Sequence, residues 1–251
     1  MAKILISGAL GKMGRKVFEA SIENQNATPV CGVDIFENKN NPDFPIYDSF
    51  DKVNEEVDVV IDFSSKLNLQ AVLDFCKSKN IGAVLCTTGY DKEDIEKINE
   101  YSKSIPLFRS ANMSVGVNVL IELVKKASAS LNGFDVEIIE KHHNLKADAP
   151  SGTALMLADA VKEVKPNDFY VYGREGMVGK RQQNEIGIHA VRGGNIVGEH
   201  DVLFAGLNET ITLSHQATDR SVFAIGAVNA GVYLANKKSG LYNMSDMINN
   251  K

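Results

Sequence analysis

Five short apolar runs recur along the first half of the chain, and segments with helical spacing separate several of them. The runs cover residues 3–7, 28–33, 57–63, 82–87 and 105–110. Strands that are apolar along their whole length are buried on both faces, as in a parallel sheet with helices on each side. The pattern therefore predicts an α/β fold built on a doubly wound parallel sheet.

The turn after the first run is rich in glycine. The stretch "ISGALGKMGRKVFEA" fits a G-x-G-x-x-G pattern that ends at Gly14, with Ala9 at the first position and Gly8 just before it. Gly11 allows backbone to approach a pyrophosphate, and Gly14 allows the following helix to pack closely. A tight strand-to-helix turn without a ligand is the alternative for the glycines alone. In this context they predict a Rossmann-like dinucleotide-binding domain.

An acid follows the second run at the spacing expected for a ribose contact. Asp34 lies about 20 residues beyond Gly14, where a carboxylate accepts hydrogen bonds from an adenosine ribose. The alternative is that Asp34 only opens the next turn. A carboxylate repels a 2′-phosphate, and the neighbouring Ile35 supplies no guanidinium, so we expect NADH to be preferred over NADPH. Lys12 and Lys39 keep use of both cofactors open.

Two further polar turns follow predicted strands at the same edge of the sheet. They are "CTTG" at 86–89 and "RSANMS" at 109–114. Ligands of doubly wound sheets bind at this edge, which places Thr87, Thr88 and Asn112 to hydrogen-bond a nicotinamide amide. The alternative is that they are helix caps or turn residues.

The pattern changes in the second half of the chain. Residues 114–131 have helical apolar spacing, and the strand-like segments within 185–217 have short, glycine-rich connections that favour antiparallel neighbours. A helix over 221–237 is apolar nearly all round, so it should be buried. We expect an α+β second domain with a mixed or antiparallel sheet. The predicted limits are 1–112, with 221–251 packing back on it, for the dinucleotide-binding domain and 113–220 for the substrate domain.

Composition excludes several classes of function. The formal net charge of −5 argues against nucleic acid as a partner, which needs clustered Lys and Arg. We find neither a secretory signal nor an apolar run of membrane-spanning length, so we expect a cytoplasmic protein with no membrane partner. Cys31, Cys76 and Cys86 form no CxxC pair, which makes a disulfide framework or thiolate metal site improbable.

The stretch "EKHHNLKADAPSGTA" at 140–154 gathers two histidines and a lysine. His142 and His143 continue a predicted strand, so their side chains should point to opposite faces and do different work. Lys146 would oppose a bound cation, so a metal site does not fit. A histidine often serves only as a structural hydrogen-bonding group, but this combination favours proton transfer or anion binding.

A helix start follows the histidines. Ser151 is a good N-cap after a proline, which puts Gly152 and Thr153 in a first turn with free backbone N–H groups. These groups and the positive end of the helix dipole suit a carboxylate. Lys146 and, as a second arm, Arg192 add positive charge, so the segment predicts a small substrate with one or two carboxylates.

At this point the chain resembles the 4-hydroxy-tetrahydrodipicolinate reductase family of the diaminopimelate route to lysine. The resemblance extends over essentially the whole chain, and the histidine–lysine segment is its most specific part. The motifs that carry it are "GALGKMGR" (8–15), "IDFS" (61–64), "TTG" (87–89), "ANMSVGVN" (111–118), "EIIEKHHNLKADAPSGTA" (137–154), "IVGEH" (196–200) and "SGLYNMSD" (239–246).

The resemblance implies an NAD(P)H-dependent reductase that forms a homotetramer through the sheet of its second domain. It assigns acid/base catalysis to His142, a catalytic role to Lys146, and substrate carboxylate contacts to His143, Gly152 and Thr153. It also implies that substrate binding draws the second domain over the cofactor. The implied dinucleotide contacts are Gly8, Ala9, Leu10, Gly11, Lys12, Met13, Asp34, Cys86, Thr87, Thr88, Ser110, Ala111, Asn112 and Met113.

Three positions depart from the family pattern. Cys86 replaces a glycine that often opens the turn, Met113 stands where phenylalanine is also common, and Ile35 stands where some members carry arginine. Two rival functions remain: another Rossmann dehydrogenase of amino-acid metabolism, and a non-catalytic dinucleotide sensor. Both would keep the glycine turn, but neither needs "HHNLKADAPSGT".

Overall fold

The structure is a computed structural model that describes residues 1–35 and 44–249. Lys39 lies outside the described residues. The chain divides into two compact units, the first formed by the described parts of Met1–Val115 and Ser221–Lys251 and the second by Gly116–Arg220. Among the described residues, no helix combines the length and the apolar character needed to cross a membrane.

The first unit contains, within its described residues, a parallel sheet of seven strands. The doubly wound parallel sheet predicted from the apolar runs is confirmed. In sheet order the strands are β12 (Gly240–Tyr242), β6 (Pro106–Arg109), β5 (Gly82–Leu85), β4 (Val59–Asp62), β1 (Ala2–Ser7), β2 (Ala27–Val33) and β3 (Ile46–Tyr47). The two short edge strands, β3 and β12, were not predicted because their apolar runs are too short to stand out.

Helices cover both faces of this sheet. Ile4 and Ile6 of β1 pack on one face against α1 (Lys12–Glu23) and α6 (Ser221–Leu234). Leu5 between them packs on the other face against α2 (Leu69–Lys79) and α3 (Lys92–Ser102). Each of these fully buried side chains contributes roughly 1.5–3 kcal/mol relative to exposure. A short helix, α7 (Met244–Ile248), ends the described chain.

The glycine turn between β1 and α1 is shaped by two residues. Gly8 has φ +80°, a left-handed conformation that favours glycine. At Gly14 an added Cβ would lie 2.1 Å from the Gly8 carbonyl oxygen, so only glycine lets α1 approach the turn this closely. The packing role predicted for Gly14 is confirmed.

A Gly14→Ala variant should therefore lose stability. The new methyl group would overlap backbone, which we expect to lower the free energy of unfolding by about 1–3 kcal/mol in urea titrations. Gly11→Ala is the matched control, because its Cβ would lie 3.2 Å from the same oxygen and needs only a small adjustment. Equal losses in the two variants would contradict this account of the turn.

The second unit has, among the described residues, a mixed sheet of five strands and two covering helices, α4 (Val115–Ser130) and α5 (Gly152–Val164). β7 forms antiparallel pairs with β10 but parallel pairs with β9. In sheet order the strands are β11 (Thr210–Ala217), β10 (Gly198–Ala205), β7 (Asp135–His142), β9 (Glu185–Arg192) and β8 (Phe169–Tyr172).

The expectation of antiparallel neighbours throughout 185–217 was wrong in one place. β10 and β11 pair antiparallel as expected, but β9 and β10 are not neighbours because β7 lies between them. The short, glycine-rich connection from β9 to β10 passes over the end of β7: the Gly193 N–H donates to the His142 carbonyl at 2.9 Å. This insertion brings residues of three strands together around His142.

Candidate active site

Four polar side chains of the second unit lie on one face of its sheet. Glu140 and His142 are two residues apart on β7, so both point to the same side. In the strand register His200 of β10 is opposite Glu140, and Arg192 of β9 is opposite His142. Pairing across strands therefore gathers two histidines, a carboxylate and a guanidinium.

Glu140 is the centre of this group. Its side chain is fully buried, and each of its oxygens accepts two hydrogen bonds within the described structure. Oε2 accepts from His142 Nδ1 at 2.6 Å and from Arg192 at 2.7 Å. Oε1 accepts from Arg192 at 2.7 Å and from the Ser151 N–H at 3.0 Å. All the acceptor positions of an ionised carboxylate are thus filled.

The charge of Glu140 follows from these contacts. Burial by itself raises the pKa of Glu140. Hydrogen bonds from Arg192, His142 and the Ser151 N–H outweigh that effect and leave the pKa below its ordinary value. Glu140 is therefore an anion at neutral pH, held inside the second unit by its donors.

Both terminal nitrogens of the Arg192 guanidinium are engaged by the protein, whereas its buried Nε has no hydrogen-bond partner among the described residues. Its two terminal nitrogens donate to both Glu140 oxygens, and each donates once more, to the carbonyls of Val191 at 2.8 Å and Asp148 at 2.7 Å. The expectation that Arg192 is a second arm for a substrate carboxylate is not supported by this geometry. The reason is the cross-strand position of Glu140, which the linear sequence does not reveal.

Ser151 links the sheet to the start of α5. It is the N-cap that the sequence predicts, and its Oγ accepts the Ala154 N–H at 3.1 Å. The same Oγ lies 2.8 Å from His200 Nε2. The Ala149–Pro150 peptide bond before it is cis. Since the Ser151 N–H also bonds Glu140, the helix start is fixed to the carboxylate group.

His200 is buried beside His142, with ring centroids 5.2 Å apart in an edge-on arrangement. Burial is the largest cause that lowers the pKa of His200 from 6.5 to about 4. His200 is therefore neutral at pH 7, and one of its ring nitrogens shares a hydrogen bond with the Ser151 hydroxyl.

The low pKa of His200 predicts a pH-dependent stability. Between pH 6.5 and about 4 the unfolded chain binds a proton at this histidine and the folded chain does not. The contribution of His200 to the free energy of unfolding should thus be fully present above pH 6.5. It should be lost as the pH drops towards 4, by up to about 3 kcal/mol. Denaturant unfolding of His200→Gln against wild type across this range isolates the contribution. Equal slopes in both proteins would contradict it.

The predicted carboxylate cradle lies next to this group. Gly152 and Thr153 form the first turn of α5, and a Cβ added at Gly152 would meet no described heavy atom within 4 Å. Lys146 is mostly buried and donates to the Asp148 carboxylate at 2.8 Å. His143 is half-buried outside β7, with its Nε2 3.4 Å from an Arg220 nitrogen. The helix dipole, Lys146 and Arg220 gather positive charge at this surface of the second unit.

The first unit carries the residues predicted for a dinucleotide. Asp34 ends β2, and its carboxylate accepts the Leu10 N–H at 2.9 Å and the Ile35 N–H at 2.8 Å. It thereby holds the glycine turn. Gly11 is the exposed N-cap of α1 and supplies no side chain to the N–H groups there. The N-terminus of α1 has no capping side chain, and the turn before it leaves no space for a Cβ at Gly14. Such a helix start fits a pyrophosphate.

The residues around this turn differ in exposure. Gly11 and Lys12 are exposed, Gly8, Leu10 and Met13 are half-buried, and Ala9 is buried. Ile35 is 81% exposed after Asp34. These positions allow backbone contacts from the turn, and in the sequence Asp34 is followed by isoleucine and not by arginine.

The "TTG" turn is tied to a buried carboxylate. Thr87 Oγ1 donates to Asp62 Oδ2 at 2.8 Å, so this hydroxyl is already engaged. Cys86 is buried and its N–H donates to the Asp62 carbonyl at 3.0 Å. Its side chain packs in the core and burial raises the pKa of its thiol, so the cysteine does not crowd the outer side of the turn. Thr88 is exposed.

The second turn that is predicted to contact nicotinamide is held by hydrogen bonds between its own residues. Ser110 Oγ donates to the Asn112 carbonyl at 2.9 Å, and Asn112 Oδ1 accepts the Ser114 N–H at 2.8 Å. Ala111 is exposed, whereas Met113 is only 4% exposed and packs in the core of the first unit. The Met113 side chain therefore lies in the core, whereas Ala111 of the same turn is exposed.

These features define a class of protein. A doubly wound sheet with a dinucleotide-type glycine turn, together with a histidine–carboxylate pair beside a carboxylate cradle, is typical of a pyridine-nucleotide-dependent oxidoreductase acting on a small acid. Within the described residues, no group of three or more His, Cys, Asp or Glu side chains is arranged to hold a metal ion.

Comparison with known sequences identifies the family. The profile "Dihydrodipicolinate reductase, N-terminus" matches residues 2–113, and "Dihydrodipicolinate reductase, C-terminus" matches residues 116–248. The chain belongs to the dihydrodipicolinate reductase family.

Individual relatives agree over their full length. The chain is 52% identical to 4-hydroxy-tetrahydrodipicolinate reductase of Caldanaerobacter subterraneus subsp. tengcongensis over 99% of the chain and 98% of the relative. It is 49% identical to the enzyme of that name from Clostridium tetani, over 99% and 98%. Among solved structures, dipicolinate-bound dihydrodipicolinate reductase from Paenisporosarcina sp. TG-14 matches with a TM-score of 0.81 at 25% identity, over 97% of both chains.

Sequence reasoning missed three residues of the site. Glu140 and His200 come together with His142 only through strand pairing, although an acid two residues before a histidine in a strand could have indicated the Glu140 contact. Arg220 approaches His143 from just before α6, and nothing in the local sequence distinguishes it from other surface arginines.

Proposed function

We propose that this chain catalyses the NAD(P)H-dependent reduction of 4-hydroxy-tetrahydrodipicolinate, by way of dihydrodipicolinate, to tetrahydrodipicolinate in the diaminopimelate route to lysine. The observation that carries the proposal is the Glu140-bound His142 beside the α5 N-terminus, in a chain of this family. Reduction of an unsaturated cyclic dicarboxylate needs a proton donor and a carboxylate-binding surface.

In the proposed reaction the residues of the protein donate one proton and stabilise the charge that develops on the substrate. The reduced nicotinamide, when bound, supplies the hydride that C4 of the ring accepts after water is lost. Negative charge then develops towards the ring nitrogen, and one proton balances it. We assign that proton to His142, and we assign Lys146 to electrostatic stabilisation of the developing charge.

Substrate carboxylates are assigned to the neighbouring donors of the second unit. Gly152 and Thr153 offer N–H groups at the α5 N-terminus, and His143 offers its imidazole. Arg220 lies within reach of His143 and adds positive charge. Orientation by several donors is how a small dicarboxylate is held for reaction.

The cofactor is assigned to the turns at one edge of the first sheet. Asp34 and the α1 N-terminus support this assignment most directly. The full set of proposed contacts is Gly8, Ala9, Leu10, Gly11, Lys12, Met13, Asp34, Cys86, Thr87, Thr88, Ser110, Ala111, Asn112 and Met113.

NADH is the cofactor we expect to be used better. The Asp34 carboxylate disfavours a 2′-phosphate, and the exposed Ile35 offers no compensating charge. We predict a kcat/KM for NADH about tenfold above that for NADPH, equivalent to about 1.4 kcal/mol. Ile35→Arg should narrow the ratio by improving NADPH use. A strong NADPH preference in the wild-type protein would refute this prediction.

The central assay follows NADH oxidation with the product of aspartate semialdehyde and pyruvate condensation as substrate. His142→Gln should lower kcat by about 10²-fold or more, because the proton donor is lost, and leave NADH affinity nearly intact. His189→Gln is the matched control: His189 bonds Glu137 at 2.7 Å on the same sheet, outside the proposed site.

The outcomes separate the alternatives. Failure of the wild-type protein to reduce this substrate would overturn the proposed activity and favour another dehydrogenase. Dinucleotide binding with no turnover would indicate a sensor. Unchanged turnover in His142→Gln would remove His142 from the mechanism while leaving the activity in place.

We also propose a homotetramer formed through the sheet of the second unit. α4 and α5 pack on the face of β7 that carries Val136 and Ile138, whereas Glu137 and Ile139 point to the opposite face. That opposite face is half-exposed along β7 and β10. A sheet face without a helix on it is suited to packing against a second copy.

A further inference from the structure

We infer that Glu140, held ionised by Arg192, is a positioning residue that fixes the proton of neutral His142 on Nδ1, so that Nε2 is the atom that delivers the catalytic proton. The inference deepens the proposed function and depends on the role of His142 as proton donor. It adds a buried carboxylate and its counter-ion to the residues that the reaction requires.

The first support is the hydrogen-bond count at the carboxylate. Both Glu140 oxygens are filled by donors, and an ionised carboxylate can only accept. His142 Nδ1 lies 2.6 Å from Oε2, so it must carry the hydrogen of that contact. A neutral imidazole has only one such hydrogen, which leaves Nε2 as the unprotonated nitrogen.

The second support is the fixed charge of the pair. Arg192 and Glu140 form a two-pronged ion pair with both N–O distances at 2.7 Å, and the carboxylate side chain is fully buried. Such a pair holds the carboxylate as an anion and restricts its rotation. A fixed anion next to Nδ1 also stabilises the imidazolium form that must exist before the proton is given up.

The third support is the environment of Nε2. Within the described residues Nε2 has no hydrogen-bond partner, and the His142 side chain is 11% exposed. A Cβ added at Gly198 would lie 3.1 Å from Nε2, so glycine at this point of β10 leaves room beside the reactive nitrogen. The neighbouring His200 ring is edge-on and engaged with Ser151, so it does not compete for the proton.

Glu140→Gln tests the inference kinetically. The variant keeps the shape and removes the charge, and a single amide oxygen cannot serve all four donors. We expect kcat to fall about 10²-fold, while the KM for the dicarboxylate and the Kd for NADH change little. The pH profile of kcat should also differ from that of the wild type, because the fixed negative charge beside the proton donor is removed.

Glu137→Gln is the matched control. Glu137 lies on the other face of β7 and accepts from His189 at 2.7 Å, so this variant removes the carboxylate of a second His–Glu pair in the same sheet. Because this face also carries the proposed subunit contact, the comparison is made at a protein concentration where gel filtration shows the wild-type oligomer; there the variant should keep the wild-type kcat and pH profile. Circular dichroism spectra and thermal unfolding of both variants report whether the sheet is preserved.

A second measurement does not depend on any carboxylate variant folding. Long-range ¹H–¹⁵N spectra of wild-type protein with ¹⁵N-labelled histidine distinguish protonated from unprotonated ring nitrogens, and His142→Gln assigns the signal. Above the pH at which turnover falls, we expect a protonated Nδ1 and an unprotonated Nε2. The reverse pattern would overturn the inference.

The outcomes distinguish this inference from the proposed function. If His142→Gln keeps its turnover, the proposed role of His142 fails and the inference fails with it. If His142→Gln loses turnover but Glu140→Gln keeps the wild-type kcat and pH profile, only the inference is overturned. Loss of turnover in both, with a shifted pH profile in Glu140→Gln, supports both.

Discussion

The site of the second unit depends on the buried carboxylate of Glu140. An ionised group removed from water is costly, and here the donors of His142, Arg192 and Ser151 offset that cost. Removing one partner of such a buried group typically costs about 3–5 kcal/mol, because the remaining charge is left unpaired. The donors come from two strands and from the start of a helix, so one anion fixes the ring, the guanidinium and the N-cap together.

The first unit uses a similar arrangement at its sheet edge. Asp62 is fully buried at the end of β4 and accepts from the Ser64 hydroxyl at 2.6 Å and from Thr87 Oγ1 at 2.8 Å. Asp34 holds the Leu10 N–H of the glycine turn. In both units a carboxylate near a strand end accepts a backbone N–H of the neighbouring loop and so fixes the conformation of that loop.

Much of the fold could be predicted because its signals are local. Apolar runs located five strands of the first sheet, and Ser151 located the start of α5, since hydrophobic period and capping act over a few residues. The position of β9 could not be predicted, because β7 enters between β9 and β10 from a distant part of the chain. The same limit hid Arg192 as the partner of Glu140, which is set by cross-strand register.

The candidate site likewise contains some residues that are contiguous in sequence and others that only strand pairing brings together. His142, Lys146 and the helix start are contiguous in sequence, so their chemistry was visible in one segment. The atoms that orient His142 were not, since Glu140, Arg192 and His200 meet it only on the folded sheet face. The sequence thus indicated the proposed proton donor, and the structure shows which residues hold it.

Neutron diffraction from deuterium-exchanged crystals at neutral pH tests the central claim most directly, because it locates each hydrogen of the Glu140–His142 contact. We expect deuterium on His142 Nδ1, directed at Oε2, and no deuterium on Glu140. Deuterium on the Glu140 carboxyl group, or a bare Nδ1 facing it, would contradict the account.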